Sequence, residues 1–522
     1  MSSSTPLLLT PESSSEQETL SEAAPNLQSL DELVEWCLGG FEWTQFFQAM
    51  TVSAAWFIDG QQAIISDFTD AEPTWHCTSV ANTTCSLSSN ACDLPASQWA
   101  WDGPSDNSII SDWALECASS FVTGLPTSSF YLGCLLGGFI FATLADSSLG
   151  RKNLLLMSCL VMSLAAFATA FSANIWMYSG LRLVSGLARA SIGTCAIVLA
   201  TEMVGEKWQR FIGMMGLFME TLGMLSLAPI AYALRAASWR NLYLTTSLLG
   251  IVYSALVYFF SSESPRWLLT QGREMEAVAV LGRIAPKRHN SLKCYVSSLA
   301  PTLKEDSSKV SLYSSMKDLF KTRRALKLLL NVMVLGFGSA MMYYGVLLGV
   351  GNFGYSIYLG LTLNGLLIIP SYFTSYFLMD QLGRKKTLLG STTLSSVLSI
   401  AYALVRSELK SAGMVMELAS FFCACMAGNV LFIYTVELFP TRMRNSATSM
   451  MRQSMILGIL FDPILISAGR RIRFLTFLVF GLAIGLCGAA VIFLPETRVV
   501  RVSDMMDEED QGTNNANGRS IN

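Results

Sequence analysis

The sequence predicts an all-α membrane protein with twelve spanning helices in two six-helix bundles. Three observations lead there. Of 522 residues 52% are hydrophobic and only 14% charged, with mean hydropathy +0.44, whereas soluble domains carry roughly 25% charged residues. Twelve apolar stretches are long enough to cross a hydrocarbon core of about 30 Å. Three motifs of the first half return in the second at nearly one offset. The net charge of −3 removes the electrostatic basis for nucleic-acid binding. Two histidines, His76 and His289, are too few for most zinc sites or histidine triads.

The spans are 45–67, 122–145, 153–172, 175–200, 211–234, 241–260, 326–350, 354–379, 387–405, 413–436, 446–468 and 473–494. Each is expected to be helical, because open backbone polar groups cannot sit unsatisfied in lipid. Residues 1–43 form a Ser/Glu-rich tail without a basic residue, so no cleavable signal peptide is expected. The first bundle covers 44–260, a linker 261–325 with short amphipathic helices, and the second bundle 326–494. A polar tail, 495–522, closes the chain.

Lys and Arg placement orients the spans. The 68–121 loop has none, while 261–325 carries twelve. With both termini cytoplasmic, 25 of the 35 basic residues lie on that side. Seven lie opposite (Arg235, Arg240, Arg406, Lys410, Arg470, Arg471 and Arg473), and Arg182, Arg189 and Arg452 fall inside spans. The 68–121 loop also holds Cys77, Cys85, Cys92 and Cys117, which read as two disulfides with three possible connectivities. Asn82-Thr83-Thr84 is a glycosylation sequon in the same loop.

The duplication is in register. Asp146-Ser-Ser-Leu-Gly150-Arg151-Lys152 answers Asp380-Gln-Leu-Gly383-Arg384-Lys385, with the glycines 233 residues apart. Glu202, in a segment ending at Arg210, answers Glu437, in one ending at Arg444, 235 apart. Glu263 answers Glu496, again 233 apart. Six spans plus six in parallel repeat is the architecture of a transporter that rocks one bundle against the other. In each copy the glycine turns the chain, and the Asp and Arg can bond helix ends or the other bundle, closing a cytoplasmic gate. The alternative is a simple positive-inside anchor.

These loop motifs, with Ser264-Pro265-Arg266-Trp267-Leu268, Pro440-Thr441-Arg442-Met443-Arg444-Asn445 and Leu494-Pro495-Glu496-Thr497, resemble the major facilitator superfamily. The cysteine-rich, glycosylatable loop narrows the resemblance to its organic cation/carnitine transporters. Asp59-Gly-Gln-Gln, Ala145 to Lys152, Asn445-Ser-Ala-Thr448 and Arg452-Gln453 look most like the plant branch. The resemblance implies alternating access, and a cationic or zwitterionic organic solute. The sequon loop fits a vacuolar or a plasma membrane equally; proton-coupled sugar or other polar-metabolite transport and solute sensing are the competing readings. Two positions depart from the family. An acid that cation-carrying relatives often place two residues before the eighth-span proline is Ile368 here, and the charge that animal relatives carry in the eleventh span is Ile456.

A charge inside a bilayer is costly, so each one is a candidate site. Asp59, late in the first span, suits an ammonium or a proton, or else caps the span end. Glu220, midway through the fifth, suits the same ligands, or else partners Arg182 or Arg189. Those arginines, seven residues apart, share a helix face; Arg189 reads as structural or a relay and Arg182 as near the interface. Arg452 suits a carboxylate or a structural role. Asp462 lies about 15 Å of helical rise from it, too far to pair, and precedes Pro463, where it stabilises a local break or binds. Glu417 is expected at the interface. Tyr343, Tyr344, Tyr372 and Tyr376 suit aromatic walls for a quaternary ammonium, or ordinary packing. Pro126, Pro229, Pro370 and Pro463 lie inside spans as candidate hinges. No nucleotide-binding loop, metal-ligand spacing or activated nucleophile appears, so the sequence predicts neither enzyme nor primary pump, and no cofactor or metal.

Overall fold

The computed structural model describes residues 42–78, 97–144, 149–284, 323–350, 356–404, 410–469 and 473–496, with a few isolated positions besides. Asp146, Asn82, Cys85, Arg470 and Arg471 lie outside the described residues.

The first span is three helices in line, α1 (Trp43–Ser53), α2 (Ala55–Ile64) and α3 (Ser66–Thr69), where one helix over 45–67 was expected. Side chains from neighbouring helices take the carbonyls at both breaks. The Tyr253 hydroxyl donates to the carbonyls of Thr51 at 2.9 Å and Val52 at 3.2 Å. Near the second break, Tyr131 donates to Ala63 O at 3.1 Å and Arg182 to Gln62 O at 3.3 Å. Groups intruding on the backbone ladder are a recognised cause of such interruptions.

The following loop folds into an antiparallel hairpin, β1 (Trp75–Cys77) with β2 (Trp99–Trp101), and a short helix α4 (Ile109–Asp112). Its strands are tied by His76 Nδ1 2.7 Å from Asp102 Oδ1. Hydrogen bonds from Thr74 and His76 hold the exposed Asp102 carboxyl below the usual aspartate range. A disulfide joins Cys92 to Cys117, with Cα atoms 5.5 Å apart, and Cys77 is also disulfide-bonded. Asp112 anchors the loop by accepting from Trp239 Nε1 at 3.2 Å and Arg240 Nη1 at 2.8 Å.

The first half continues with α5 (Ser120–Leu144), α6 (Arg151–Thr169), α7 (Ile175–Glu202), α8 (Glu206–Ala233) and α9 (Trp239–Phe260). Asn174 caps α7 by accepting from Met177 N. The linker supplies α10 (Pro265–Thr270) and α11 (Glu274–Ile284). The second half comprises α12 (Arg323–Leu348), α13 (Ile357–Leu382), α14 (Arg384–Leu404), α15 (Lys410–Leu438), α16 (Thr441–Ile459), α17 (Asp462–Gly469) and α18 (Arg473–Gly488). Among the described residues eleven helices are long and apolar enough to cross a membrane, α16 and α17 counting as one. The segmented α1–α3 accounts for the twelfth span.

Within the first half, α5 packs on α7, α7 and α9 pack on α6, and α2 packs on α8; in the second, α12 meets α16 and α14 meets α15 and α18. The halves meet where α5 faces α16 and α17, and where α8 faces α13. Small residues allow close backbone approach. A side chain at Gly186 on α7 would collide with the Phe130 carbonyl of α5, and one at Gly60 on α2 would meet the Glu220 carbonyl of α8. Serines stitch the second half, Ser396 donating to Gly481 O at 2.7 Å and Ser399 to Phe477 O at 2.8 Å.

Three expectations are corrected. Glu417 is fully buried and accepts from Asn364 Nδ2 at 3.1 Å, rather than lying at the interface. Arg182 is fully buried, not interfacial. Tyr376 is 61% exposed on the outer surface of the bundle and lines no internal wall. Of the in-span prolines, Pro126, Pro229 and Pro370 sit in uninterrupted helices, and only Pro463 stands beside a break, after Leu460 and Phe461.

Candidate functional site

Helix α2 holds Asp59 in mid-helix, 3% exposed, rather than at a span end. Its partner is Arg189 of α7. The Arg189 Nη2 donates to Asp59 Oδ2 at 2.8 Å, and Nε lies 2.8 Å from Oδ1. The contact is one charge-assisted hydrogen bond backed by a close ion-pair approach, in which Nε and Oδ1 are not aligned to bond. One turn-pair along α7, Arg182 stacks over the Phe130 ring at 4.1 Å and donates to Ser66 Oγ at 2.9 Å. The neighbouring amides are engaged as well, with Gln61 Nε2 2.8 Å from Ser226 Oγ and Gln62 Nε2 3.2 Å from Thr246 Oγ1.

Glu220 differs. It is half-buried on α8, in the electrostatic neighbourhood of Asp59, Arg189 and Arg452. Among the described residues it makes no hydrogen bond or ion pair. Arg189 has gone to Asp59 instead, so Glu220 is not a buried arginine's partner. From the other half, half-buried Arg452 of α16 reaches across and donates to Thr194 Oγ1 of α7 at 3.1 Å.

Aromatic rings close the space between. Tyr344 lies 5.0 Å from Tyr343 and 6.0 Å from Tyr131, ring to ring. Tyr343 stacks on Phe421 at 5.4 Å. Tyr372 of α13 places its hydroxyl 3.5 Å from Thr221 of α8, one residue beyond Glu220. Tyr343, Tyr344 and Tyr372 all feel the Glu220 charge. The structure therefore gathers Asp59, Glu220, Arg452 and these three tyrosines in one region at the junction of the halves. Asp462, fully buried at the start of α17, stands apart. Among the described residues neither carboxylate oxygen has a hydrogen-bond partner.

The duplicated motifs form two copies of one device. Gly150 and Gly383 adopt φ of 81° and 88°, a left-handed conformation that glycine tolerates. The amides that follow point at a carboxylate on the same half. Arg151 N and Lys152 N each donate to Glu263 Oε1 at 3.0 Å. Arg384 N and Lys385 N donate to Glu496 at 3.1 and 3.2 Å. An anion at a helix N-terminus satisfies free N–H groups and complements the helix dipole. Arg151 Nη2 lies 3.8 Å from Glu202, and Arg384 Nη2 2.9 Å from Glu437. Each pair stays within one half and the segment directly after its last span, and none crosses between the halves. Arg210 and Asp380 are exposed and Arg444 half-buried, and their side chains make no hydrogen bond or ion pair among the described residues.

Two features escape sequence reasoning. The Asp59–Arg189 pair joins different helices, and only the shared Arg182/Arg189 face hinted at it. The buried carboxylates Asp67 and Asp70 straddle the point where hydropathy ended the first span, Asp67 as its last residue and Asp70 in the loop beyond, and neither was singled out.

Residues 65–507 match the sugar (and other) transporter family. Organic cation/carnitine transporter 3 of Arabidopsis thaliana is 47% identical over 94% of this chain and 95% of its own length. Organic cation/carnitine transporter 2 of the same plant is 48% identical over 92% and 94%. An inward-open structure of the xylose transporter XylE from E. coli superposes with TM-score 0.60 at 13% identity, covering 88% of this chain and 98% of that one, a likeness of fold alone. Sequence and fold together place the chain in the organic cation/carnitine transporter family of the major facilitator superfamily, transporters that work by alternating access.

Proposed function

We propose that this protein carries organic cations, and the zwitterion carnitine, with protons as the coupling ion. The observation that supports this most directly is Glu220, a half-buried carboxylate without a hydrogen-bond or ion-pair partner among the described residues, near tyrosine rings and an arginine from the opposite half. Asp59 is neutralised by Arg189, so Glu220 is the acid left to meet an ammonium, and the rings add about 0.5–2 kcal/mol per cation–π contact. Helix α8 packs on α13, so Glu220 serves the site in place of an acid at Ile368. Arg452 meets the carboxylate of a zwitterion, and its reach to Thr194 makes its position depend on how the halves stand. Asp59 takes a proton only when its pair with Arg189 opens, and Asp462 completes the set for proton binding.

The motif devices keep each bundle rigid at its cytoplasmic end while the bundles rock, with both termini on that side. The hairpin loop, its disulfides and glycosylated Asn82 then face the exterior or a vacuolar lumen, and the boundaries 44–260 and 326–494 delimit the moving bodies. In proteoliposomes Glu220→Gln is expected to abolish uptake of both carnitine and tetraethylammonium. Arg452→Ala is expected to lower carnitine uptake at least about tenfold, the equivalent of one charged hydrogen bond, while sparing tetraethylammonium. Equal, unchanged uptake of both by Arg452→Ala would refute the zwitterion assignment. Hexose uptake without either organic cation would replace it with sugar transport.

A further inference from the structure

A second set of carboxylates lies beyond the central site, toward the hairpin. A cavity of about 70 Å³ separates the halves there. From the first half it is lined by Asp67, Asp70, Glu72 and Thr127, and from the second by Leu348 and Ser467. It therefore straddles the seam that must part when that face opens.

The three acids are not equivalent. Asp70 is well held, accepting from Tyr178 Oη at 2.7 Å, Thr127 Oγ1 at 3.0 Å and Thr69 Oγ1 at 2.9 Å. Asp67 is 6% exposed, and its Oδ2 has no hydrogen-bond partner. Glu72 is exposed at the mouth. Arg182 acts on Asp70, and Arg235 lines the adjoining cavity that Glu72 also borders, while no positive side chain lines this cavity itself. The second half contributes no charged group to the lining. The 68–121 loop above it contains no Lys or Arg. Two contacts across the halves close this face, a hydrogen bond between Thr123 and Ser467 and the stacking of Phe68 on Tyr358 at 5.5 Å.

An unpartnered carboxylate buried in a seam is costly unless the seam opens or a cation arrives. We propose that this cavity is a docking site for the positively charged end of an organic cation. Asp67 makes the contact, Asp70 and Glu72 supply the field, and the solute meets this site before Glu220. Closure of the seam, with Thr123 returning to Ser467, then shuts the path behind it. Acidic walls of this kind raise the local concentration of cations and speed their capture, and salt screens the effect.

This inference rests on the proposed transport of organic cations, and the test separates the two. Tetraethylammonium uptake is measured in proteoliposomes entered from the hairpin face, at low and high ionic strength, for wild type, Asp67→Asn and Glu220→Gln, with binding at equilibrium measured on the same purified proteins. The docking site requires Asp67→Asn to raise KM roughly tenfold with maximal rate preserved, and to flatten the salt dependence of KM. Glu220→Gln should abolish uptake. If Asp67→Asn transports with unchanged KM and salt dependence, the docking site is wrong and the central site stands. If Asp67→Asn folds poorly, Glu72→Gln at the exposed mouth must raise KM and weaken the salt dependence, or the proposal fails. If wild type neither binds nor carries tetraethylammonium, both readings fall.

Discussion

Asp59 and Arg189 illustrate how a buried pair constrains what a site can do. Each charge is tolerable only beside the other, so removing one strands its partner in a low-dielectric interior. Arg189→Ala is expected to destabilise the protein by about 3–5 kcal/mol, seen as a large drop in melting temperature in detergent. Asp59→Asn with Arg189→Gln should recover much of that loss, and a double variant no more stable than Arg189→Ala would contradict the pairing. Glu220 is the opposite case, an acid with its charge uncommitted, and its loss is expected to cost transport more than stability. The sequence marked both acids as intramembrane charges but not their different roles. Hydropathy locates a residue along a span, whereas partner choice depends on which helix face it occupies. Arg182 and Glu417 were misplaced for the same reason. Each lies near the polar end of an apolar stretch, yet a bond donated to Ser66 by Arg182 and one accepted from Asn364 by Glu417 accommodate them in full burial.

At the scale of elements, the segmented first span accounts for another misreading. Hydropathy ended it at residue 67, while hydrogen bonds carry it to Thr69, and the partner on α7 makes Asp59 an interior residue rather than a cap. The breaks depend on hydroxyls of other helices, which leave no trace in local sequence. Tyr253→Phe removes the donor to Thr51 and Val52 and is expected to cost about 0.5–1.5 kcal/mol, measurable by thermal unfolding. An unchanged melting temperature would count against that role. The repeated motifs were far more legible. Their common offset brings Glu263 to the α6 N-terminus and Glu496 to the α14 N-terminus by the same geometry. Glu263→Ala leaves the Arg151 and Lys152 amides without their anion and should destabilise by about 1–3 kcal/mol. Glu263→Asp, retaining the charge, should lose less; equal losses would show that the anion is immaterial. Gly60→Val offers a packing test. Its added carbons meet the Glu220 carbonyl, so α2 and α8 must separate, and both folding yield and uptake are expected to fall.

For the whole molecule, the composition and the duplication were enough to foresee two bundles of spanning helices. The state in which the bundles stand was not legible, since sequence records neither seam as open or closed. Contacts across the seam near the hairpin supply that information. Cysteines at Thr123 and Ser467 are therefore expected to form a bond under oxidation, halting uptake until reduction restores it. Uptake persisting through complete cross-linking would contradict rocking at this seam.

The central claim is that a dipolar site, Glu220 on one half and Arg452 on the other, carries cationic and zwitterionic solutes. Its most direct test is uptake of labelled carnitine, tetraethylammonium and hexose into proteoliposomes, with and without a proton gradient, by wild type and Glu220→Gln. The account predicts carnitine and tetraethylammonium uptake that rises with the gradient, is lost in Glu220→Gln, and is accompanied by no hexose uptake. Gradient-driven carnitine uptake that survives Glu220→Gln unchanged would contradict it.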